Sequence, residues 1–195
     1  MSIKGLLFYL VIVFVCVIGI FNTTAAEGVT SAAPIFPGNV LQNPSFEQSS
    51  ETIPAFWVKV PVRSGKYDYS VTGNAHEGDK CLAIKGTVAG RGMCYNGDVY
   101  VVKGAKYRLS CWVRTEGAGI SANVSLAYSG IKLGIDETET WKLLESEFVA
   151  ADTGMEIIQL TSYGLGTVFL DDISIKMLST PLQNTKAEIP TNGKP

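Results

Sequence analysis

The sequence predicts an all-β domain, a sandwich or barrel of short strands. Three observations carry this reading. No internal segment repeats its apolar residues at a helical period. Short runs with strand-like alternation recur instead. Between them sit turn pairs such as Gly73-Asn74, Ala89-Gly90 and Tyr163-Gly164. Many short strands with such punctuation build a sandwich or a closed barrel.

In chain order the predicted strands are Trp57 to Val62, Tyr67 to Thr72, Lys80 to Lys85, Arg91 to Val102, Lys106 to Thr115, Ile120 to Tyr128, Trp141 to Val149, Glu156 to Ser162 and Thr167 to Met177. Side chains along a strand alternate between its two faces. In the Lys106 strand, Tyr107, Leu109, Cys111 and Val113 form the core face, and Arg108, Ser110, Trp112 and Arg114 point the other way. A tryptophan on a polar face is uncommon for so large an apolar group. Ala122, Val124 and Leu126 point inward, with Asn123 and Ser125 outward. Ile158 and Leu160 point inward, with Gln159, Thr161 and Tyr163 outward. If these strands share one sheet, their outer faces join into a polar surface carrying aromatic plates. Such a surface suits a sugar, whose C–H faces stack on rings and whose hydroxyls meet amides and hydroxyls. The same pattern also describes a solvated sheet face with one exposed tryptophan.

The ends differ from this pattern. Lys4, the apolar run from Leu6 to Phe21 and the small residues Thr24 and Ala26 read as a signal peptide, residues 1–26, cleaved after Ala26. An uncleaved membrane anchor is the alternative, but the run falls short of the ~20 residues that span a bilayer. A secreted, extracellular protein is therefore expected. Residues 27–38 read as a linker, 39–178 as the folded domain and 179–195 as a disordered tail.

A net charge of −2 without a basic block argues against nucleic acid as a partner. Beyond the leader stand Cys81, Cys94 and Cys111, and export permits a disulfide. Cys81 and Cys94 flank the Thr87 to Gly92 connection. Read as a hairpin with both residues outward, it favours a Cys81–Cys94 bond and leaves Cys111 a buried thiol; pairs using Cys111 compete. One histidine and no C-x-x-C spacing argue against zinc. Asp136-Glu137-Thr138-Glu139 reads as a solvated loop, and His76 has no nucleophile elbow to serve, so no enzyme is expected. Asn123-Val124-Ser125 is a glycosylation sequon on the proposed face, where an attached glycan would obstruct a cleft.

Five motifs stand in series: Asn39-Val40-Leu41-Gln42-Asn43-Pro44-Ser45-Phe46-Glu47; Ala75-His76-Glu77-Gly78-Asp79-Lys80-Cys81-Leu82; Gly104-Ala105-Lys106-Tyr107-Arg108-Leu109-Ser110-Cys111-Trp112-Val113-Arg114; Trp141 with Phe148; and Phe169-Leu170-Asp171-Asp172-Ile173-Ser174-Ile175. Together, and with Trp57, they resemble the glycanase-associated carbohydrate-binding modules, the related families four, nine, sixteen and twenty-two. The resemblance spans Asn39 to Met177. It implies a two-sheet antiparallel jelly-roll β-sandwich, galactose-binding-domain-like in topology. It implies structural roles for Trp57 and Trp141, and a structural calcium ion tying the first strand to the last. The matching ligands are Glu47 and one of Asp171 and Asp172, with carbonyls near Glu77 to Lys80. Parity favours Asp171, placed on a face with Ile173 and Ile175. The alternative is that Glu47 and Asp171 bond to loop backbone without metal.

The expected function is non-catalytic recognition of a poly- or oligosaccharide. The expected surface holds Trp112, Arg114, Gln159, Thr161 and Tyr163, with Tyr95 and Tyr100 beside them. A structural or adhesive protein using the same fold for protein contacts is the alternative. A separate enzyme or surface protein is the expected partner.

Overall fold

The computed structural model describes residues 40–49 and 52–181. The expected signal peptide, the whole of the expected linker and the tail beyond Pro181 lie outside them. Ten strands form two five-stranded sheets, every pairing antiparallel, with no helix among the described residues. The first sheet holds β1 (Val58–Lys59), β4 (Arg91–Val101), β9 (Gly154–Tyr163), β6 (Ser121–Leu126) and β7 (Lys132–Ile135), side by side in that order. The second holds β2 (Lys66–Thr72), β3 (Cys81–Val88), β10 (Gly166–Ser179), β5 (Lys106–Glu116) and β8 (Lys142–Val149). This is the all-β sandwich that the strand pattern predicts.

The core lies between the sheets, and alternation places its residues. Tyr107, Leu109, Cys111 and Val113 of β5 are fully buried, as are Ala122 and Val124 of β6 and Ile158 and Leu160 of β9. Burying each large aliphatic side chain contributes about 1.5–3 kcal/mol. Trp57 is buried against Phe46 at 5.3 Å, and its indole donates to the Asn43 carbonyl at 3.2 Å.

Two strands differ from the prediction. The Trp57 strand is paired as β1 only at Val58 and Lys59. The chain still follows the β4 edge, since Val60 N–H donates to the Met93 carbonyl and Arg91 N–H to that of Ser64. Pro61 supplies no donor to continue the ladder. The strand β7 was not predicted: it is only four residues long, and although Leu133 and Ile135 alternate inward with Lys132 and Gly134 outward, glycine is depleted in strands. The bare backbone of Gly134 has a local use: a Cβ there would stand 2.8 Å from Oδ1 of Asn123 on β6.

The β3–β4 connection is not a hairpin. It carries the chain from one sheet to the other, and this overturns the Cys81–Cys94 disulfide. Cys81 faces outward on the second sheet among Ala83 and Phe169, whereas Cys94 faces inward on the first, in the main core. Both are free thiols, as is the buried Cys111. Desolvation pushes the Cys81 and Cys94 thiols up to about 12 and raises Cys111 as well.

Candidate functional site

The outer face of the first sheet collects side chains in rows. On β9 the outward residues are Met155, Ile157, Gln159, Thr161 and Tyr163, opposite the inward Ile158 and Leu160. Register sets Tyr95 of β4 and Ser125 of β6 on either side of Gln159. Met93 and Asn123 flank Thr161, and Arg91 and Ser121 flank Tyr163. Thr161 is buried at 2 % exposure, while Gln159 and Tyr163 are half-buried. The rows therefore alternate amide, hydroxyl and ring, the composition a sugar ring requires.

The segment after β1 raises one wall of this face. Val60, Pro61, Arg63, Arg91, Met93 and Gln159 line a groove of about 530 Å³. The Arg91 guanidinium lies on Met93, with Nη2 3.1 Å from the sulfur. Tyr100 stands at the far end of the same face, opposite Met155 and half exposed at 51 %. It is four residues along β9 from Gln159, about 13 Å.

The predicted site residues thus divide. Tyr95, Gln159, Thr161 and Tyr163 come together on the first sheet, with Tyr100 at its end. Trp112 and Arg114 sit on β5, on the outer face of the second sheet. The supposition of one shared face fails because β5 pairs with β10 and β8, while β6 and β9 pair in the other sheet. Trp112 is half-buried beneath the His76 ring, stacked at 3.8 Å and 14°. Arg114 lies 4.3 Å above Phe169 and 5.7 Å from Trp141, and pairs with Glu116 at 2.9 Å. Arg91, Met93 and the 60–64 wall were not predicted. Parity on the Arg91 strand could have placed Arg91 and Met93, but the wall depends on the chain running along an edge.

The Glu47 and Asp171 carboxylates grip the loop between β2 and β3. Glu47 accepts N–H donors from Asp79 at 2.9 Å and Lys80 at 3.0 Å. Asp171 accepts those of His76 at 2.8 Å, Glu77 at 3.3 Å and Asp172 at 2.8 Å. Gly78 turns at φ +71°, where a Cβ would strike the Glu47 carboxylate. Asp171 is fully buried, and desolvation pushes its carboxyl up to about 6. Its burial is not on the core side, as parity with Ile173 suggested. Asp171 pairs with the outward Trp112, and a bulge at Asp172, φ +46°, then returns Ile173 and Ile175 to the core. Calcium takes about six to eight oxygen ligands. Here loop amides fix the two carboxylates, the Asp79 and Lys80 N–H groups both on Oε1 of Glu47, and a carboxylate's remaining lone pairs are the hard oxygen donors that such an ion takes.

No protein-family model matches the sequence, and no curated protein matches it. Solved structures match its fold. One is TmCBM61 in complex with β-1,4-galactotriose, at TM-score 0.56 and 22% identity, covering 71% of this chain and 98% of that one. Another is a family-four carbohydrate-binding module, at 0.50 and 13%, covering 70% and 98%. A third is the Clostridium thermocellum endo-1,4-β-D-xylanase 10B fragment with its CBM22-1 and GH10 modules, complexed with xylohexaose, at 0.53 and 14%, covering 73% of this chain and 29% of that one. The chain therefore has the β-sandwich fold of the glycanase-associated carbohydrate-binding modules.

Proposed function

We propose that this chain is a secreted, non-catalytic protein that binds a poly- or oligosaccharide on the outer face of the first sheet. One observation carries the reading: Tyr95, Gln159 and Tyr163 stand on that face beside a groove of about 530 Å³ that Gln159 itself lines. The fold likeness supports it, since two of the similar structures carry bound oligosaccharides, galactotriose and xylohexaose. Recognition rather than cleavage is supported by chemistry. Glycoside hydrolysis ordinarily needs two carboxyl groups across the scissile bond. The described outward side chains of β4, β9, β6 and β7 include no Asp or Glu. Secretion is supported by the leader-like residues 1–26. A separate glycan-active enzyme or surface protein is the proposed partner, and a structural calcium ion at Glu47 and Asp171 is a separate proposal.

Affinity electrophoresis in gels containing polysaccharide tests the binding face. Wild type and Trp112→Ala are expected to be retarded, and Tyr95→Ala with Gln159→Ala to migrate freely with an unchanged melting temperature. Retention lost on Trp112→Ala alone would move the site to the second sheet. Empty gels and an empty glycan array, with a protein recovered by pull-down, would favour the adhesive reading.

A further inference from the structure

The two outer faces differ in charge. On the second sheet cations stand among acids: Lys106 and Arg108 both reach Glu147, Arg114 reaches Glu116 and Lys85 lies across from Asp68, while Lys66 and Lys176 are in no ion pair among the described residues. On the first sheet Arg63 and Arg91 line the groove, and Lys132 stands on β7. None of these three is in an ion pair among the described residues. No described Asp or Glu side chain points outward from β4, β9, β6 or β7 to neutralise them. The chain as a whole is acidic, at −2, so this face is positive against the balance of the molecule. Unmatched cations around an apolar floor form a field that an anion completes.

The groove also orders the groups. Met93 and Val60 give an apolar patch on which the C–H face of a pyranose can lie. Arg91 borders that patch and Arg63 belongs to the wall beside it. A carboxyl group on C5 of a sugar projects from the ring edge, sideways from the stacking face. A ring resting on Met93 would aim it at the two guanidiniums, whose planar donor forks match a planar carboxylate. Lys132 closes the row Tyr95–Gln159–Ser125–Lys132, three strand spacings across, about 14 Å. A second acidic unit of the same chain would meet it there.

Resting on the glycan-binding reading above, we infer that the preferred ligand is an acidic polysaccharide rich in uronic acid, held through Arg63 and Arg91 with Lys132 as an outer contact.

Affinity electrophoresis on polygalacturonate and on neutral β-1,4-galactan tests this. Wild type is expected to be retarded by polygalacturonate at low salt and less so at physiological salt, because exposed charges are screened there. Arg63→Gln with Arg91→Gln should weaken that affinity about tenfold or more, the loss of charge-assisted bonds. Lys106→Gln with Arg108→Gln, on the opposite face, removes the same two charges and should leave it unchanged. Equal retention on neutral galactan, undiminished in the double variant, would overturn the acidic assignment and leave glycan recognition standing. Retention on a sulfated polysaccharide alone would overturn the uronate assignment. Retention on none would overturn both readings.

Discussion

The Trp112 ring is the plate on which His76 rests, and His76 in turn reaches Asp172 from Nδ1 at 3.0 Å. Trp112→Ala removes that plate and loosens the 75–80 loop. A cost of about 2 kcal/mol is expected, below that of truncating a fully buried aromatic. Thermal denaturation checks it, and an unchanged midpoint would deny the ring its packing role. The cysteines make a second prediction at this scale. All three are buried with thiols held protonated by desolvation. The thiolate is the reactive form. A thiol reagent at pH 8 should therefore label none of them in the native protein and all three in denaturant. Labelling of a single thiol in denaturant would instead indicate a disulfide. Much of this was legible in the sequence, because alternation alone places Cys111 in the core and Trp112 outside it. Alternation could not reveal that the 75–80 loop covers Trp112, since a loop's path over a sheet leaves no periodic trace.

Among the elements, the joint between the first loop and β10 is held by Glu47 and Asp171. Glu47→Ala would strand the Asp79 and Lys80 amides, at about 1–3 kcal/mol if they stay dry. Chelation probes the proposed calcium at the same joint. The proposed ion predicts a melting midpoint that falls by several degrees with chelator, and an unchanged midpoint would leave the joint to hydrogen bonds alone. The sandwich interior supplies a further test. Gly92 of β4 faces Tyr67, and a Cβ there would lie 2.5 Å from its ring. Gly92→Ala should cost about 1–3 kcal/mol through overpacking, read as a lower denaturant midpoint at unchanged slope. Nine of the strands were legible as alternating runs. The remaining one, β7, was not, because four residues with a glycine among them make too short a run to stand out. Parity also misplaced Asp171, since a bulge shifts every later residue by one face and a single sequence does not announce it.

Across the whole molecule, strand pattern and the ordered motifs were enough to predict an all-β sandwich, yet the site needed the sheet order. Trp112 and Gln159 share a local signature, an outward position on an alternating strand. Only pairing separates them, β5 with β10 and β8, β9 with β4 and β6. That separation leaves one face with Tyr95, Gln159, Thr161 and Tyr163 and cations that no described outward acid of β4, β9, β6 or β7 balances, and the other with cations and acids mixed and a covering loop. The proposed function therefore turns on which face meets the glycan. The direct measurement is backbone amide shift mapping by NMR during titration with an oligosaccharide that the protein retains. Binding on the first sheet predicts shifts concentrated on β4, β9 and β6, at Tyr95, Gln159, Thr161 and Tyr163. Shifts centred on Trp112 and Arg114, with β9 silent, would contradict it.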